Sequence, residues 1–245
     1  MTGVSREIGI GATVAQRLSD EGATVFATGW PPHDAEMPWG EETAGLGFEV
    51  HRHDLELPDT PAALVDEVLD RHNKLDIVVA VHARSSEQTL ADVTATELDR
   101  SWAANVRSIV LLAQRFAERH GPAPTGQSPT GRMIWFTSGQ HREPMDNTLA
   151  YAVTKGALHQ MTATLGRALS QSGIVANCIN PGPVDTGWAD PTFRTELKAS
   201  FPDQRWGTPT DVANLVAFLV GDEGSWIRGQ VIDSEGGFDR SSLRG

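Results

Sequence analysis

Thr2-Gly-Val-Ser-Arg-Glu-Ile-Gly-Ile-Gly11, then Ala12-Thr-Val-Ala-Gln-Arg-Leu18 and, after a short polar break, Ala23-Thr-Val-Phe-Ala27, is the stretch on which the fold turns. Gly3, Gly9 and Gly11 stand just ahead of a run with helical periodicity. Glycine lets bare backbone approach a bound group, and the helix N-terminus behind it offers unpaired N–H groups and partial positive charge. The apolar run that follows reads as the next strand. Turn, helix and strand in that order form part of a mononucleotide-binding unit, which makes Gly3, Ser5, Arg6, Gly9 and Ile10 candidate contacts for a pyrophosphate. A plain structural turn would carry similar glycines, so the reading depends on what surrounds it.

Outward from this stretch, short β-branched runs alternate with longer segments of helical period. That is the signature of strand-helix-strand units and a parallel sheet. Strands are expected over 24–28, 48–53, 77–81, 133–137, 175–179 and 230–233. Helices are expected over 11–21, 61–72, 96–119, 149–172 and 210–220. In the last, Val212, Leu215, Val216 and Leu219 recur at 3.6-residue period and give one apolar stripe. The stretches 31–47 and 121–131 read as irregular surface loops. The whole chain, 1–245, is expected to form a single α/β domain: a doubly wound, Rossmann-like parallel sheet with helices on both faces. One element is missing from the pattern. The first strand of such a sheet is ordinarily central and buried, whereas this sequence opens inside the turn, and the reading expects a natural start further upstream.

Composition narrows the function. A formal net charge of −12 argues against a broad nucleic-acid or anionic-membrane footprint, and a single cysteine excludes a disulfide framework or a multi-cysteine metal site. Cys178 reads as a small buried hydrophobe. No apolar run approaches bilayer length and no signal pattern opens the chain, so a cytoplasmic location and no membrane partner are expected. His51 and His53 alternate along a strand without companions to complete a metal site, and no metal is expected. The acidic pairs Glu41-Glu42 and Asp222-Glu223 read as surface charge.

At the adenosine end, units of this kind place an acidic residue at the close of the second strand when they favour NAD. Here that strand closes Ala27-Thr-Gly-Trp30, without a carboxylate to repel a 2′-phosphate, and Arg6 is near enough in sequence to pair with one. NADP(H) is therefore preferred, with NAD(H) left open. Asp54, beside Leu55, is a candidate acceptor for the adenine amino group, or else a turn residue.

The chemistry-bearing residues follow. Ser138 closes the apolar strand at 133–137, and thirteen residues later comes Tyr151-Ala-Val-Thr-Lys155, near the start of a helix. A spacing of four puts Tyr151, the only tyrosine, and Lys155 on one helical face. A nearby ammonium stabilises a phenolate, which a proton donor to a developing alkoxide requires. A serine hydroxyl at the strand end can hold a carbonyl oxygen.

With these residues in place the sequence resembles the short-chain dehydrogenase/reductase family over nearly its whole length, and within it the 3-oxoacyl-acyl-carrier-protein-reductase-like branch. The resemblance implies Tyr151 as acid/base, Lys155 binding the nicotinamide ribose, Ser138 orienting the carbonyl, and Asn105, in Trp102-Ala-Ala-Asn-Val, holding a proton-relay water. Asn180-Pro-Gly-Pro-Val-Asp-Thr186 is similar to the loop bordering the nicotinamide. That likeness implies contacts from Pro181, Gly182, Val184 and Thr186. The segments 205–213 and 229–237 are similar to the family's closing segments. Three departures stand out: a turn two residues longer than usual, Ala80-Val-His-Ala83 in place of Asn-Asn-Ala-Gly, and the absent first strand. His82 is a candidate to take over one lost asparagine contact. A tryptophan-containing insertion, Trp30 to Gly40, replaces the expected helix and is similar to one in a bacterial subgroup.

Gln140, His141, Met145, Trp188 and Phe193 are the candidate substrate contacts, from the segments flanking the carbonyl position. The expected activity is NADP(H)-dependent interconversion of a ketone and a secondary alcohol on a small-molecule substrate. The expected assembly is a homotetramer or homodimer built through the helices at 96–119 and 149–172. Two rivals remain at this stage, a non-catalytic dinucleotide-binding or scaffold protein and an epimerase or dehydratase with tightly held coenzyme.

Overall fold

Met133 and Trp135 point to one side of their strand and Ile134 and Phe136 to the other, and all four are buried. This period-2 alternation with both sets apolar requires a covered layer on each face. The computed structural model, which describes residues 1–40, 45, 47–122, 126, 128–189 and 191–240, supplies both layers. The strands are β1 (Ala27–Gly29), β2 (Val50–Arg52), β3 (Ile77–Ala80), β4 (Gly131–Phe136), β5 (Ile174–Asn180) and β6 (Val231–Asp233). The helices are α1 (Ile10–Asp20), α2 (Pro31–Ala35), α3 (Thr60–His72), α4 (Ala95–Trp102), α5 (Ser108–His120), α6 (Leu149–Ser170), α7 (Pro191–Lys198) and α8 (Pro209–Val220). Met133 and Trp135 join a core with Leu64, Leu112, Phe116 and Leu158, from α3, α5 and α6. Ile134 and Phe136 join Val14, Leu18, Val212 and Val216, from α1 and α8.

All strand pairs are parallel. β1 pairs with β2, and β3 through β6 pair in sequence order, with Ile77 opposite Arg132, Gly131 opposite Ile174 and Cys178 opposite Val231. The two groups are joined by one residue. Thr2 bridges both Thr28 and Ala80 in parallel; its N–H donates to the Val79 carbonyl (3.0 Å) and its carbonyl accepts from Val81 (3.3 Å). Thr28 donates to the Met1 carbonyl (2.9 Å) and Val4 to that of Thr28 (3.0 Å). Among the described residues no strand element precedes α1, and Met1 to Val4 stand at the centre of the sheet where one would lie. Beneath Met1, a cavity of about 30 Å³ lies between Phe26 and Thr28 on one side and Ile77 and Val78 on the other.

All six expected strands form, with one instructive shift. β1 begins at Ala27 instead of Thr24, and just before it the Phe26 carbonyl accepts from the Met1 ammonium (2.9 Å). Three expectations are corrected. The stretch 31–47 is not wholly irregular: Pro31, whose ring fixes a helical φ, starts α2. The helix expected over 96–119 is broken by a π-helical turn, Ala103–Arg107. And α7, too short to show a period, went unexpected. Glu41 and Glu42 lie outside the described residues. No described helix is long and apolar enough to cross a membrane.

Candidate active site

The loops leaving the carboxyl ends of the parallel strands converge, as they do where open α/β sheets bind ligands. After Thr2 comes the glycine-rich turn. Gly3 has φ +73°, and a Cβ there would sit 2.4 Å from the His82 nitrogen; one on Gly11 would sit 2.2 Å from the Gly3 carbonyl oxygen. Neither position tolerates a side chain, so the turn is pressed against both its own helix and the loop after β3. α1 starts at Gly9, which offers no side-chain cap, and its first turn holds no carboxylate. The first-turn amides thus lack a side-chain acceptor, and this donor set fits a dinucleotide pyrophosphate.

Arg6 occupies a place the sequence did not foretell. Its guanidinium lies 4.7 Å from the Trp39 ring centroid and its Nη2 donates to the Thr186 carbonyl (3.0 Å). Through Arg6 the glycine-rich turn reaches across to the loop after β5, with Trp39 of the insertion stacked upon it. Ser5 packs beside Gly29 at the end of β1. Asp54 accepts the Glu56 N–H (2.9 Å), a tight turn that leaves its second oxygen free of that bond, while Leu55 is buried in the core. After β5, the Gly182 N–H donates to Asn180 Oδ1 (3.1 Å), Val184 is buried and bridges Gly207, and Pro181 and Thr186 flank them.

Ser138 follows β4 directly, and α6 carries Tyr151 and Lys155 past it. The Ser138 hydroxyl faces the Tyr151 side chain closely enough to act on its acidity. Burial raises the Tyr151 pKa and the Ser138 hydroxyl opposes that rise. The Lys155 ammonium sits 5.3 Å from the Tyr151 ring centroid and donates to the Phe136 carbonyl (2.8 Å). Its side chain pairs with no carboxylate among the described residues, and desolvation lowers its pKa to about 8. Thr137 Oγ1 donates to the Lys155 carbonyl (2.8 Å), locking the strand end to the helix.

Asn105 sits in the π-helical turn, a common device for placing a functional side chain. Its Oδ1 accepts the Arg84 N–H (2.6 Å), and its Nδ2 donates to the Arg84 carbonyl (2.9 Å) and to Thr154 Oγ1 (2.9 Å). Thr154 Oγ1 in turn donates to the Tyr151 carbonyl (2.8 Å). His82 does take over as a strand tie. Its Nδ1 pairs with Thr2 Oγ1 (2.6 Å), and its Nε2 lies 3.0 Å from the Ala104 carbonyl and 2.9 Å from Ser108 Oγ. Burial first, then the Lys155 charge, lowers its pKa to about 4, so the ring is neutral at pH 7.

The substrate candidates divide. Gln140 folds back, its Oε1 accepting the Ser138 N–H (3.2 Å). His141 faces Asp233 (3.2 Å) and stacks near His159, their centroids 4.5 Å apart. Met145 lies half-buried in the segment between Ser138 and α6. Trp188 and Phe193 pack on Trp206, with centroids 5.5 and 6.3 Å from it, in a cluster of their own. Thr154 and Arg84 escaped the sequence reading; the signal for Arg84 was its place just past the end of β3, one residue beyond Ala83. Among the described residues no group of three or more His, Cys, Asp or Glu is arranged to hold a metal ion.

An uncapped helix N-terminus at a sheet switch point, beside a serine-tyrosine-lysine arrangement, defines a class: dinucleotide-dependent oxidoreductases of the doubly wound fold. The family model described as "Enoyl-(Acyl carrier protein) reductase" matches residues 3–239. The chain is 36% identical over 246 residues to the uncharacterized oxidoreductase YjdA of Bacillus subtilis (strain 168), across 98% of this chain and 96% of that protein. Its fold is similar to that of a short-chain dehydrogenase/reductase from Serratia marcescens, at TM-score 0.79 and 27% identity over 97% of this chain and 95% of that one. A short chain dehydrogenase from Burkholderia cenocepacia, in complex with NADP, is similar at TM-score 0.78 and 30% identity, covering 96% and 95%. This chain belongs to the short-chain dehydrogenase/reductase family of oxidoreductases.

Proposed function

We propose that the chain interconverts a ketone and a secondary alcohol with NADP(H) as coenzyme, Tyr151 acting as the acid in the reductive direction. The observation that carries the reading is the buried Lys155 ammonium 5.3 Å from the Tyr151 ring centroid, one helical turn away and beside the strand end that carries Ser138. Ser138 and Tyr151 together hold the carbonyl oxygen. As negative charge develops there, Tyr151 gives up its phenolic proton, and the Lys155 ammonium, protonated below pH 8, stabilises the phenolate left behind. The nicotinamide ring supplies the hydride in this direction and takes it in the other. Asn105 and Thr154 fix the first turn of α6, so Tyr151 does not swing away between turnovers.

The coenzyme choice is supported by the absence of a carboxylate between Ala27 and Trp30, by Arg6 near the turn, and by the NADP named with the Burkholderia relative. Gly3, Ser5, Arg6, Gly9, Ile10, Asp54 and Leu55 are proposed to line the phosphate and adenosine half, and Lys155, Pro181, Gly182, Val184 and Thr186 the nicotinamide half. His141 and Met145 are proposed to meet the substrate. Leu98, Trp102, Val110 and Val153, apolar yet exposed on α4, α5 and α6, support assembly into a homotetramer or homodimer through those helices.

The test is a panel of ketones with NADPH and NADH, run on the unmodified chain and on Tyr151→Phe. The variant is expected to bind NADPH unchanged and to lose about 100-fold or more in kcat. Turnover that survives in Tyr151→Phe refutes the proposed role, and tighter binding of NADH than NADPH refutes the coenzyme choice.

A further inference from the structure

Arg84 is 6% exposed in the loop leaving β3. Its guanidinium meets carboxylates from three separate segments. Nε and Nη2 fork onto the two oxygens of Glu97 in α4, each at 2.9 Å. Nη1 reaches Glu36, just past α2, at 3.2 Å and Glu56, just past Leu55, at 3.4 Å. Arg100 completes the cluster with Glu56 (2.9 Å) and Glu36 (3.8 Å). The peptide of the same residue is held from both sides by the Asn105 amide. A planar fork suits this arrangement, since a lysine would supply the charge without the two parallel bonds.

An ion cluster that served only stability would need no particular location. This one spans the two halves of the site. Glu36 belongs to the insertion whose Trp39 stacks on Arg6, and Glu56 follows the Asp54 turn, so the guanidinium ties down both segments flanking the adenosine end. The main chain of Arg84 meanwhile splints Asn105, which braces Thr154 and, through it, the turn carrying Tyr151. Three carboxylates face the guanidiniums of Arg84 and Arg100, Arg107 donates to the Glu56 carbonyl, and Glu97, held by the Arg84 fork, is itself only 7% exposed. Loss of Arg84 would leave the Glu97 carboxylate buried without its fork and loosen both segments.

We propose that Arg84 is a positioning residue for the reaction: its guanidinium fixes the insertion and the Asp54 to Glu56 turn for the dinucleotide, and its peptide fixes Asn105 for proton handling. The inference rests on the oxidoreductase reading above, and it gives the Trp30 to Gly40 insertion a role as one wall of the coenzyme site.

The test combines NADPH titration, followed by calorimetry, with kcat, both well below the melting temperature, for Arg84→Met, Arg84→Lys and Glu36→Gln. Arg84→Met is expected to weaken NADPH binding about tenfold, the worth of one charged hydrogen bond, and to lower kcat by about tenfold or more through misplaced Asn105. Arg84→Lys restores part of the binding and less of the rate. Glu36 is half-exposed, so Glu36→Gln stays folded; it is expected to raise the NADPH dissociation constant about threefold or more with kcat within about twofold, since it severs the insertion alone. A folded Arg84→Met with unmoved dissociation constant and kcat overturns the inference. Should that variant not fold, unchanged NADPH affinity in Glu36→Gln overturns it equally. Failure of the unmodified chain to bind either nicotinamide dinucleotide overturns both this inference and the reading beneath it, whereas unmoved variants of an active enzyme overturn this one alone.

Discussion

Lys155→Met is expected to kill the enzyme and stabilise the fold. Lys155 is 2% exposed, its ammonium donates to the Phe136 carbonyl, and burial holds its pKa at about 8 instead of 10.5. At neutral pH that difference is a penalty on the folded state of about 3 kcal/mol. Methionine fills similar volume without charge and leaves the Phe136 carbonyl unpaired, which costs about 1 kcal/mol. The balance is a gain of about 2 kcal/mol, or a rise of about 4 to 8 °C in Tm for a domain of this size. The sign with pH follows from the direction of the shift. The unfolded chain binds more protons than the folded one between pH 8 and 10.5, so the stability of the unmodified chain rises with pH across that window. The advantage of the methionine variant is therefore complete below pH 8 and fades toward 10.5. Urea unfolding of both chains at pH 7, 8, 9 and 10 measures it. A variant less stable at pH 7, or a gap that does not narrow with pH, refutes the reasoning. Stability lost to a functional ammonium is a familiar trade at active sites.

Two further predictions concern the frame around the site. His82, held near 4 instead of 6.5, contributes stability that is present above pH 6.5 and lost as pH falls toward 4; His82→Asn should flatten that loss, by about 2 kcal/mol at pH 5, and parallel denaturation curves at pH 5 and 7 would argue against it. Trp206→Ala should cost about 3 to 5 kcal/mol, since Trp206 is 4% exposed and supports Trp188 and Phe193; a shift below about 1 kcal/mol in urea would show that the aromatic cluster is not what holds the α7 region.

What could be read in advance was what repeats or what is local. The apolar stripe of α8 is periodic and β4 is a continuous apolar run, so both were visible locally. Ser138, Tyr151 and Lys155 are fixed by one strand end and one helical turn, and their meeting needed no long-range information. Trp188 and Phe193 are a different case. Exposed aromatics in a variable loop suggested a lid, but the partner that captures them, Trp206, lies on the far side of α7, and no spacing rule connects the three. α7 itself, opened by a proline in a stretch with weak periodicity, offered only its start signal.

The same distinction explains why every departure from the family pattern falls toward the phosphate and adenosine half. Tyr151 and Lys155 share one helical turn beside the strand end that carries Ser138, whereas the opposite half of the site is walled by loops, and loops can be rebuilt from distant parts. Here the rebuilding is visible residue by residue. His82 ties Thr2 to the π-helical turn, Arg6 bridges Trp39 and Thr186, and Arg84 gathers Glu36, Glu56 and Glu97 from separations of 48, 28 and 13 residues. His82 stands where the family pattern has lost an asparagine, and all of these contacts join residues far apart in sequence. Long-range pairs leave no periodic trace in a single sequence, so the half of the site that diverged most is also the half that sequence reading could see least.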